Sequence, residues 1–69
     1  MKFGNVLREL RKEKELSQMQ LAKATGLSKT AIASWELSQQ EPKAGALITL
    51  AKFFDISIDE LVGIKDYLK

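Results

Sequence analysis

The most constraining feature of this chain is the stretch from residue 17 to residue 36. It contains two short segments with apolar residues at helical spacing; Ser17 precedes the first segment, and Gly26 and Ser28 separate the two. Ser17 and Ser28 can each accept a hydrogen bond from the first turn of a following helix. Gln20, three residues after Ser17, completes a capping-box pattern. Gly26 can take the positive φ that ends a helix in a sharp turn. The stretch therefore predicts two short helices joined by a tight turn.

Three further helices are predicted from apolar spacing and caps in the rest of the chain. Apolar residues three and four apart indicate helix one over about residues 3 to 14 and helix four over about residues 44 to 54. Pro42 and the polar residues before it predict a loop, because proline disfavours helical geometry in the preceding residue. Ser57 opens a second capping box and predicts a short helix five that stops at Gly63.

The expected core is apolar and small, because 69 residues make one domain whose core is only just large enough to hold a fold. The helical faces predict these residues inside: Phe3, Val6, Leu7, Leu10, Leu21, Ala22, Ala31, Ile32, Trp35, Leu47, Leu50, Ala51 and Phe54. Leu27 is expected to fill the gap beneath the glycine turn. Trp35 shares the inward face with Ile32, so we interpret it as a core residue and not as a stacking platform for bases.

The amino-acid composition argues against catalysis and metal binding. The chain contains no Cys and no His, which removes disulfides, thiolate nucleophiles, imidazole bases and the usual zinc ligand sets. Its carboxylates fall mostly in helical charge patterns, and no nucleophile lies beside a base. We therefore expect no enzyme activity, no metal, no cofactor and no small-molecule substrate.

Charge and hydropathy indicate where the protein works and what it contacts. No apolar run approaches the roughly 20 residues that a bilayer requires, and the start lacks the apolar core of a signal peptide. We expect a soluble, cytoplasmic protein that does not contact a membrane. Residues 1 to 43 hold eight basic and five acidic residues, whereas residues 44 to 69 hold three and four. The positive part suits a phosphate backbone, although an ordinary soluble surface shows a similar excess.

An ordered set of residues runs through this whole plan. It comprises Leu7, Leu10, Arg11, Leu16, Ser17, Gln18, Leu21, Ala22, Gly26, Leu27, Ser28, Ile32, Trp35, Glu36, Pro42, Leu47, Leu50, Ala51, Lys52, Ile58, Asp59, Glu60 and Leu61. In this set the chain resembles the Cro and lambda-repressor family of helix-turn-helix domains, also called the XRE family, over residues 3 to 62. The resemblance implies an all-α, compact five-helix bundle, with residues 1 to 63 as a DNA-binding domain and residues 64 to 69 as a short tail.

The resemblance also implies how such a domain meets its partner, a double-stranded DNA operator. Helix three would enter the major groove, and helix two would lie across the phosphate backbone. The base contacts would come from Ser28, Lys29, Thr30 and Ser34. Lys29 can donate to guanine O6 and N7, and Thr30 can touch a thymine methyl. The implied function is a sequence-specific transcriptional regulator of bacterial or phage origin, and we interpret it as a repressor.

The phosphate contacts implied by the resemblance lie at the start of helix two and in the loop after helix three. They would come from Gln18, Ser38, Gln39 and Lys43. Gln18, where helix two is expected to begin, would hold an anion with its amide and the N-terminal amides of its helix. Without the motif, Gln18 would be interpreted as an ordinary residue of a first helical turn, and Lys29 and Lys43 as ordinary solvated charges.

Arg11 and Glu36 look like surface charges in isolation. The resemblance implies that they form a partly buried ion pair that ties helix one to helix three, and removing one partner of such a pair usually costs about 3 to 5 kcal/mol.

The loop after helix three departs from the family pattern. The position after Leu37 is commonly Gly in the family, so Ser38 is expected either to adopt a left-handed conformation or to remodel the loop. Gln39, Gln40 and Glu41 stand where relatives often carry Lys or Arg. We therefore expect few phosphate contacts and a shallow salt dependence, since each contact on duplex DNA adds about 0.9 to the slope.

Two alternatives stay open at this point. In the tail, Ile64, Tyr67 and Leu68 are spaced as one helical face, which either folds back on the core or joins helix five in a self-complementary patch across a two-fold axis. We favour a homodimer, because relatives bind paired half-sites about 34 Å apart. The second alternative concerns function: a protein-interaction module on the same fold, such as an antitoxin-like or polymerase-binding regulator.

Overall fold

Five α-helices account for most of residues 3 to 63, the part of the chain that the computed structural model describes. They are α1 (Phe3–Glu13), α2 (Gln18–Thr25), α3 (Lys29–Glu36), α4 (Ala44–Phe54) and α5 (Ile58–Leu61). The predicted all-α plan of five helices is confirmed, and α1 ends one residue earlier than expected. Within residues 3 to 63 no helix is long and apolar enough to cross a membrane. The expectations for the tail, residues 64 to 69, lie outside the described residues.

Serine side chains start three of the helices, as their spacing predicts. The Ser17 hydroxyl accepts from the Gln20 backbone N–H at 3.0 Å, and the Gln20 amide oxygen accepts from the Ser17 N–H at 2.8 Å. Ser57 and Glu60 make the same reciprocal pair at α5. The Ser28 hydroxyl accepts from the backbone N–H three residues on at 3.2 Å. Each cap satisfies a backbone donor that has no partner inside its helix, which fixes where the helix begins.

Three helix ends place residues other than glycine in the left-handed region. Glu15, Ser38 and Asp55 have φ of 57°, 59° and 57°. After α1, the Leu16 N–H turns back to donate to the Arg11 carbonyl at 3.0 Å, and the equivalent bonds follow α3 and α4. This double return of N–H groups to the last turn is the Schellman motif, which requires a left-handed residue. The chain therefore accepts local strain at three connections where Gly would be relaxed.

The core collects residues from every helix. The buried apolar cluster contains Phe3, Leu7, Leu21, Ala22, Ile32, Trp35, Leu50, Ala51, Phe54 and Leu61. Leu10, Leu27, Ala31 and Leu47 are partly buried against it, and Val6 is half-buried. Trp35 packs edge-on against Phe3 with ring centroids 5.9 Å apart. The structure therefore confirms that Trp35 is a core residue and that Leu27 lies beneath the turn.

Helix α1 meets the backbone at the end of α3 at Gly4. A Cβ atom added to Gly4 would overlap the carbonyl oxygen of Trp35 and would lie 3.1 Å from that of Glu36. Gly4 is buried, so the two backbones meet without a side chain between them. No sequence pattern marks Gly4 in advance, because an isolated glycine near a helix start has no spacing signal of its own. The contact brings α1 close enough to α3 for their side chains to pair.

We expect Gly4→Ala to lower the free energy of unfolding by about 1 to 2 kcal/mol, because overpacking costs about 1 to 3 kcal/mol and exceeds the gain in helix propensity. Urea unfolding measures the change. Gly45→Ala is the matched control, since a Cβ at Gly45 meets nothing within 4 Å, and it should be neutral or stabilise by up to about 1 kcal/mol. Equal gains in both variants would show that the approach of α1 to α3 does not require glycine.

A second prediction concerns the strained end of α1. Glu15→Gly should raise the free energy of unfolding by about 0.5 to 1 kcal/mol, since left-handed strain is relieved and the greater freedom of glycine in the unfolded chain offsets only part of that gain. Thermal unfolding followed by circular dichroism measures it. Glu9→Gly, at an exposed position in the interior of α1, should instead cost about 1 kcal/mol. A loss in both variants would contradict the assignment of strain to Glu15.

Candidate nucleic-acid interface

The turn between α2 and α3 is built from short-range hydrogen bonds. Gly26 has φ of 78°, and its N–H donates to the Ala22 carbonyl at 2.8 Å. The Thr25 hydroxyl donates to the Leu21 carbonyl at 2.8 Å and accepts from the Leu27 N–H at 3.3 Å. Thr25 is half-buried, and these two bonds satisfy its hydroxyl inside the turn. The turn therefore holds α2 and α3 at a defined angle.

The structure brings together on α3 and its cap the four residues expected to contact bases. Ser28, Lys29 and Thr30 are exposed, and Ser34 is half-buried one turn after Thr30. No hydrogen bond or ion pair engages the Lys29 side chain within residues 3 to 63. Ser28 already accepts the capping bond, so its hydroxyl hydrogen is what it can offer to a ligand.

The outward face of α3 is small as well as polar. Ile32, Trp35 and Glu36 are buried, whereas Thr30, Ala33 and Ser34 lie on the outward side. Side chains of this size let the backbone of a helix come close to a surface. The major groove of B-DNA is about 12 Å wide and accepts a helix. The face therefore has the size and the donors that base recognition needs.

A bidentate ion pair lies directly behind this face. The Arg11 Nε atom donates to Glu36 Oε2 at 2.8 Å, and Nη2 donates to Oε1 at 2.9 Å. The Arg11 Nη1 atom donates to the Leu16 carbonyl at 2.8 Å, just before α2. The structure thus places Arg11 and Glu36 together, as the resemblance implied, and their side chains are 13% and 4% exposed.

The pair changes the titration of both partners. The hydrogen bond to Glu36 raises the pKa of Arg11 above its usual value, even though desolvation lowers it. For Glu36, burial alone raises the pKa, but hydrogen bonds from Arg11 and Gln18 and the charges of Arg11 and Arg8 outweigh burial. The pKa of Glu36 therefore lies below its ordinary value, and the carboxylate is ionised at neutral pH.

Gln18 is the third member of this network, a role that no local sequence pattern indicates. Its amide nitrogen donates to Glu36 Oε1 at 3.1 Å, and its side chain is half-buried. A glutamine amide carries two N–H groups, so one remains for another acceptor. The N-terminus of α2 adds partly positive backbone N–H groups beside it, which favour an anion. The phosphate contact of Gln18 stays a prediction, but the orientation of its amide has a physical cause.

The other expected phosphate contacts lie in the connection from α3 to α4. Ser38, Gln39 and Lys43 are all exposed. Of the two expected alternatives for Ser38, the structure takes the left-handed conformation, with φ of 59°. The Gln39 N–H donates to the Ser34 carbonyl at 2.9 Å, which ties the loop to α3. Glu41 is exposed in the same loop, so an anion near Lys43 also meets a negative charge.

We expect Arg11→Met to lower the free energy of unfolding at pH 7 by about 3 to 5 kcal/mol, because it leaves the Glu36 carboxylate buried without its cation. Urea unfolding across pH 3 to 7 measures the dependence. Since the folded pKa of Glu36 is depressed, the contribution of the pair is complete above the unfolded pKa of about 4.3 and is lost as the pH falls through the folded pKa. The difference between wild type and variant should therefore shrink at low pH.

Lys12→Met is the matched control for this prediction, since Lys12 is exposed on α1 and its side chain makes no ion pair or hydrogen bond within residues 3 to 63. It should change the free energy of unfolding by less than about 1 kcal/mol. A difference between wild type and Arg11→Met that is small, or that does not depend on pH, would rule out the structural role of the pair.

Comparison with known proteins finds a matching family model and several relatives. The family model for helix-turn-helix proteins matches residues 7–61. The chain is 42% identical over 63 residues to the HTH-type transcriptional activator BcrR of Enterococcus faecalis, an alignment that covers 91% of this chain and 31% of that protein. It is 37% identical over 61 residues to the cryptic phage CTXphi transcriptional repressor RstR of Vibrio cholerae, which covers 88% of this chain and 55% of the repressor. The chain thus spans about a third to somewhat over half the length of these two relatives.

A solved structure agrees with these relatives. The crystal structure of the restriction-modification controller protein C.AhdI from Aeromonas hydrophila superposes with a TM-score of 0.78 at 40% sequence identity. The match covers 87% of this chain and 91% of the controller chain. The similarity therefore extends over nearly the whole length of a protein of comparable size.

Proposed function

The chain belongs to the XRE family of helix-turn-helix transcriptional regulators, and from this premise we propose that it binds double-stranded DNA sequence-specifically through α3 and represses transcription. The observation that carries the proposal is the outward face of α3: within residues 3 to 63 the side chains of Lys29, Thr30 and Ser34 have no hydrogen-bond or ion-pair partner, and the opposite side of the helix is buried in the core. Lys29, Thr30 and Ser34 read base edges in the major groove, with Ser28 beside them.

The phosphate backbone is held at the N-terminus of α2. Gln18 offers its second amide N–H there, next to the partly positive backbone N–H groups of the first turn of α2. Support for this role comes from the bond between Gln18 and Glu36, which holds the amide in place before DNA arrives. Preorganisation of this kind lowers the conformational entropy that is lost on binding.

The connection from α3 to α4 supplies the second set of backbone contacts. Ser38 and Gln39 donate without charge, and Lys43 supplies the cation. Glu41 opposes them, so electrostatic attraction to DNA is modest. Affinity then depends on two domains binding paired half-sites, which is the reason to propose a homodimer. Ile48 on α4 and Ile58 on α5 are 45% and 41% exposed and are available to such a contact.

Repression requires fewer binding surfaces on the protein than activation does. A domain that occupies a promoter blocks transcription by its presence, whereas activation requires a further surface for the polymerase. RstR is named a repressor, which supports repression, whereas BcrR is named an activator, which supports activation. We propose that the protein acts in the cytoplasm of a bacterial cell, where operator DNA is accessible. The competing function, a protein-interaction module, draws its support from the weakly basic loop with Glu41.

Three lysine variants test the proposal, because each removes one positive charge from a different place. Lys29→Ala should weaken binding to the preferred duplex about tenfold or more and relax the preference at one base pair, as loss of a base contact costs about 1 to 3 kcal/mol. Lys43→Ala should weaken binding alike on all sequences and reduce the salt slope by about 1. The measurement is fluorescence anisotropy on duplexes selected from a random pool, across a salt series.

Lys52→Ala is the control, since Lys52 is exposed in the last turn of α4, away from α3. It should leave both base preference and salt slope close to those of the wild type. Absence of binding to any duplex pool at low salt would overturn the proposed function in favour of the interaction module. Equal effects of all three variants would contradict the assigned surface.

A further inference from the structure

Leu37 is the most exposed large apolar residue within residues 3 to 63. It is 66% exposed, against 48% for Met19 and 45% for Ile48. It directly follows α3, and its N–H donates to the Ala33 carbonyl at 3.1 Å, so its Cα atom continues the path of the helix. A single exposed leucine is ordinary on a soluble domain. What distinguishes Leu37 is the face on which it lies.

Leu37 lies on the same line of α3 as Thr30. Seven residues fall about 20° short of two full turns, so the two side chains project from nearly the same side. Ala33 and Ser34 lie between them, and Ile32 and Trp35 fill the opposite, buried side. Thr30, Ala33 and Leu37 therefore lie along one strip of the outward face.

The end of α3 holds Leu37 in this position. The Ser38 N–H donates to the Trp35 carbonyl at 3.0 Å, and the Gln39 N–H donates to the Ser34 carbonyl at 2.9 Å. These bonds close the last turn around Leu37. The left-handed Ser38 then directs the chain away from the helix axis, which leaves the leucine at the tip of the face.

An apolar side chain on a base-reading face has one suitable partner in the major groove. The base edges there offer hydrogen-bond donors and acceptors, and the 5-methyl group of thymine is the apolar exception. A leucine pressed against the polar edges would remove their water without replacing the hydrogen bonds. Contact with a methyl group instead buries apolar surface on both sides.

We propose that Leu37 is a specificity-determining residue that selects thymine at the edge of the recognised DNA site by contact with its 5-methyl group. This inference rests on the proposed function of α3. Seven residues of helix span about 10.5 Å, and each base step along one strand rises about 3.4 Å. The selected thymine therefore lies about three base pairs from the pair that Thr30 contacts.

Deoxyuridine substitution tests the proposal, because deoxyuridine differs from thymidine only by the missing 5-methyl group. A preferred duplex is first selected from a random pool with the wild-type protein. Each thymine in it is then replaced in turn, and the duplexes are titrated with wild type and Leu37→Ala. For wild type we expect one outer replacement to weaken binding about three- to fivefold, the effect of one buried methyl group. Leu37→Ala should bind the thymine and deoxyuridine duplexes equally at that position.

Lys52→Ala is the control, since Lys52 is exposed in the last turn of α4 and belongs to neither the base-reading face nor the proposed dimer contact, and it should keep the preference of wild type for thymine. Unchanged thymine preferences in Leu37→Ala overturn the inference while the proposed function stands. A change in sedimentation of Leu37→Ala, with thymine preference intact, would assign the residue to a contact between protein chains and also overturn it. Failure of wild type to select any duplex overturns the proposed function and this inference together.

Discussion

The Glu36 carboxylate is the group on which the arrangement of α1, α2 and α3 depends. It accepts two hydrogen bonds from Arg11 of α1 and one from Gln18 of α2, and it belongs to the last turn of α3. Through the Arg11 bond to the Leu16 carbonyl, the same network reaches the chain just before α2. One buried charge thus links three helices. A buried charge tolerates few arrangements of its partners, because every unmet hydrogen bond in a low-dielectric interior is costly.

The backbone makes room for that network. Gly4 lets α1 lie against the carbonyl groups of Trp35 and Glu36, so the Arg11 guanidinium reaches Glu36 without stretching. The left-handed Glu15 turns the chain sharply from α1 toward α2, and Ser38 does the same after α3. Local strain at these residues is the consequence of short connections in a small domain. The fold offsets that strain through the packing of the helices that the turns bring together.

Much of the fold was predictable because its signals are local. Each capping box joins residues three apart, and each apolar stripe repeats within one or two turns of helix, so neither depends on the rest of the chain. The partners of Ser17 and Ser57 could therefore be named in advance. Ser38 was predictable only as a choice between two conformations, because a loop's geometry depends on where both of its helices are held. The positions of Ser28, Lys29 and Thr30 on one helix likewise followed from spacing alone.

The sequence by itself determined the five helices, their caps and the residues that α3 turns outward, since these depend on contacts within a few positions. The pairing of Arg11 with Glu36 could be expected only through a family resemblance. The tertiary structure alone decided that Gly4 must lack a side chain, that Gln18 is held by a carboxylate 18 residues away, and that Leu37 stays uncovered. Each of these depends on how close two helices come in space, and local sequence patterns carry no measure of that distance.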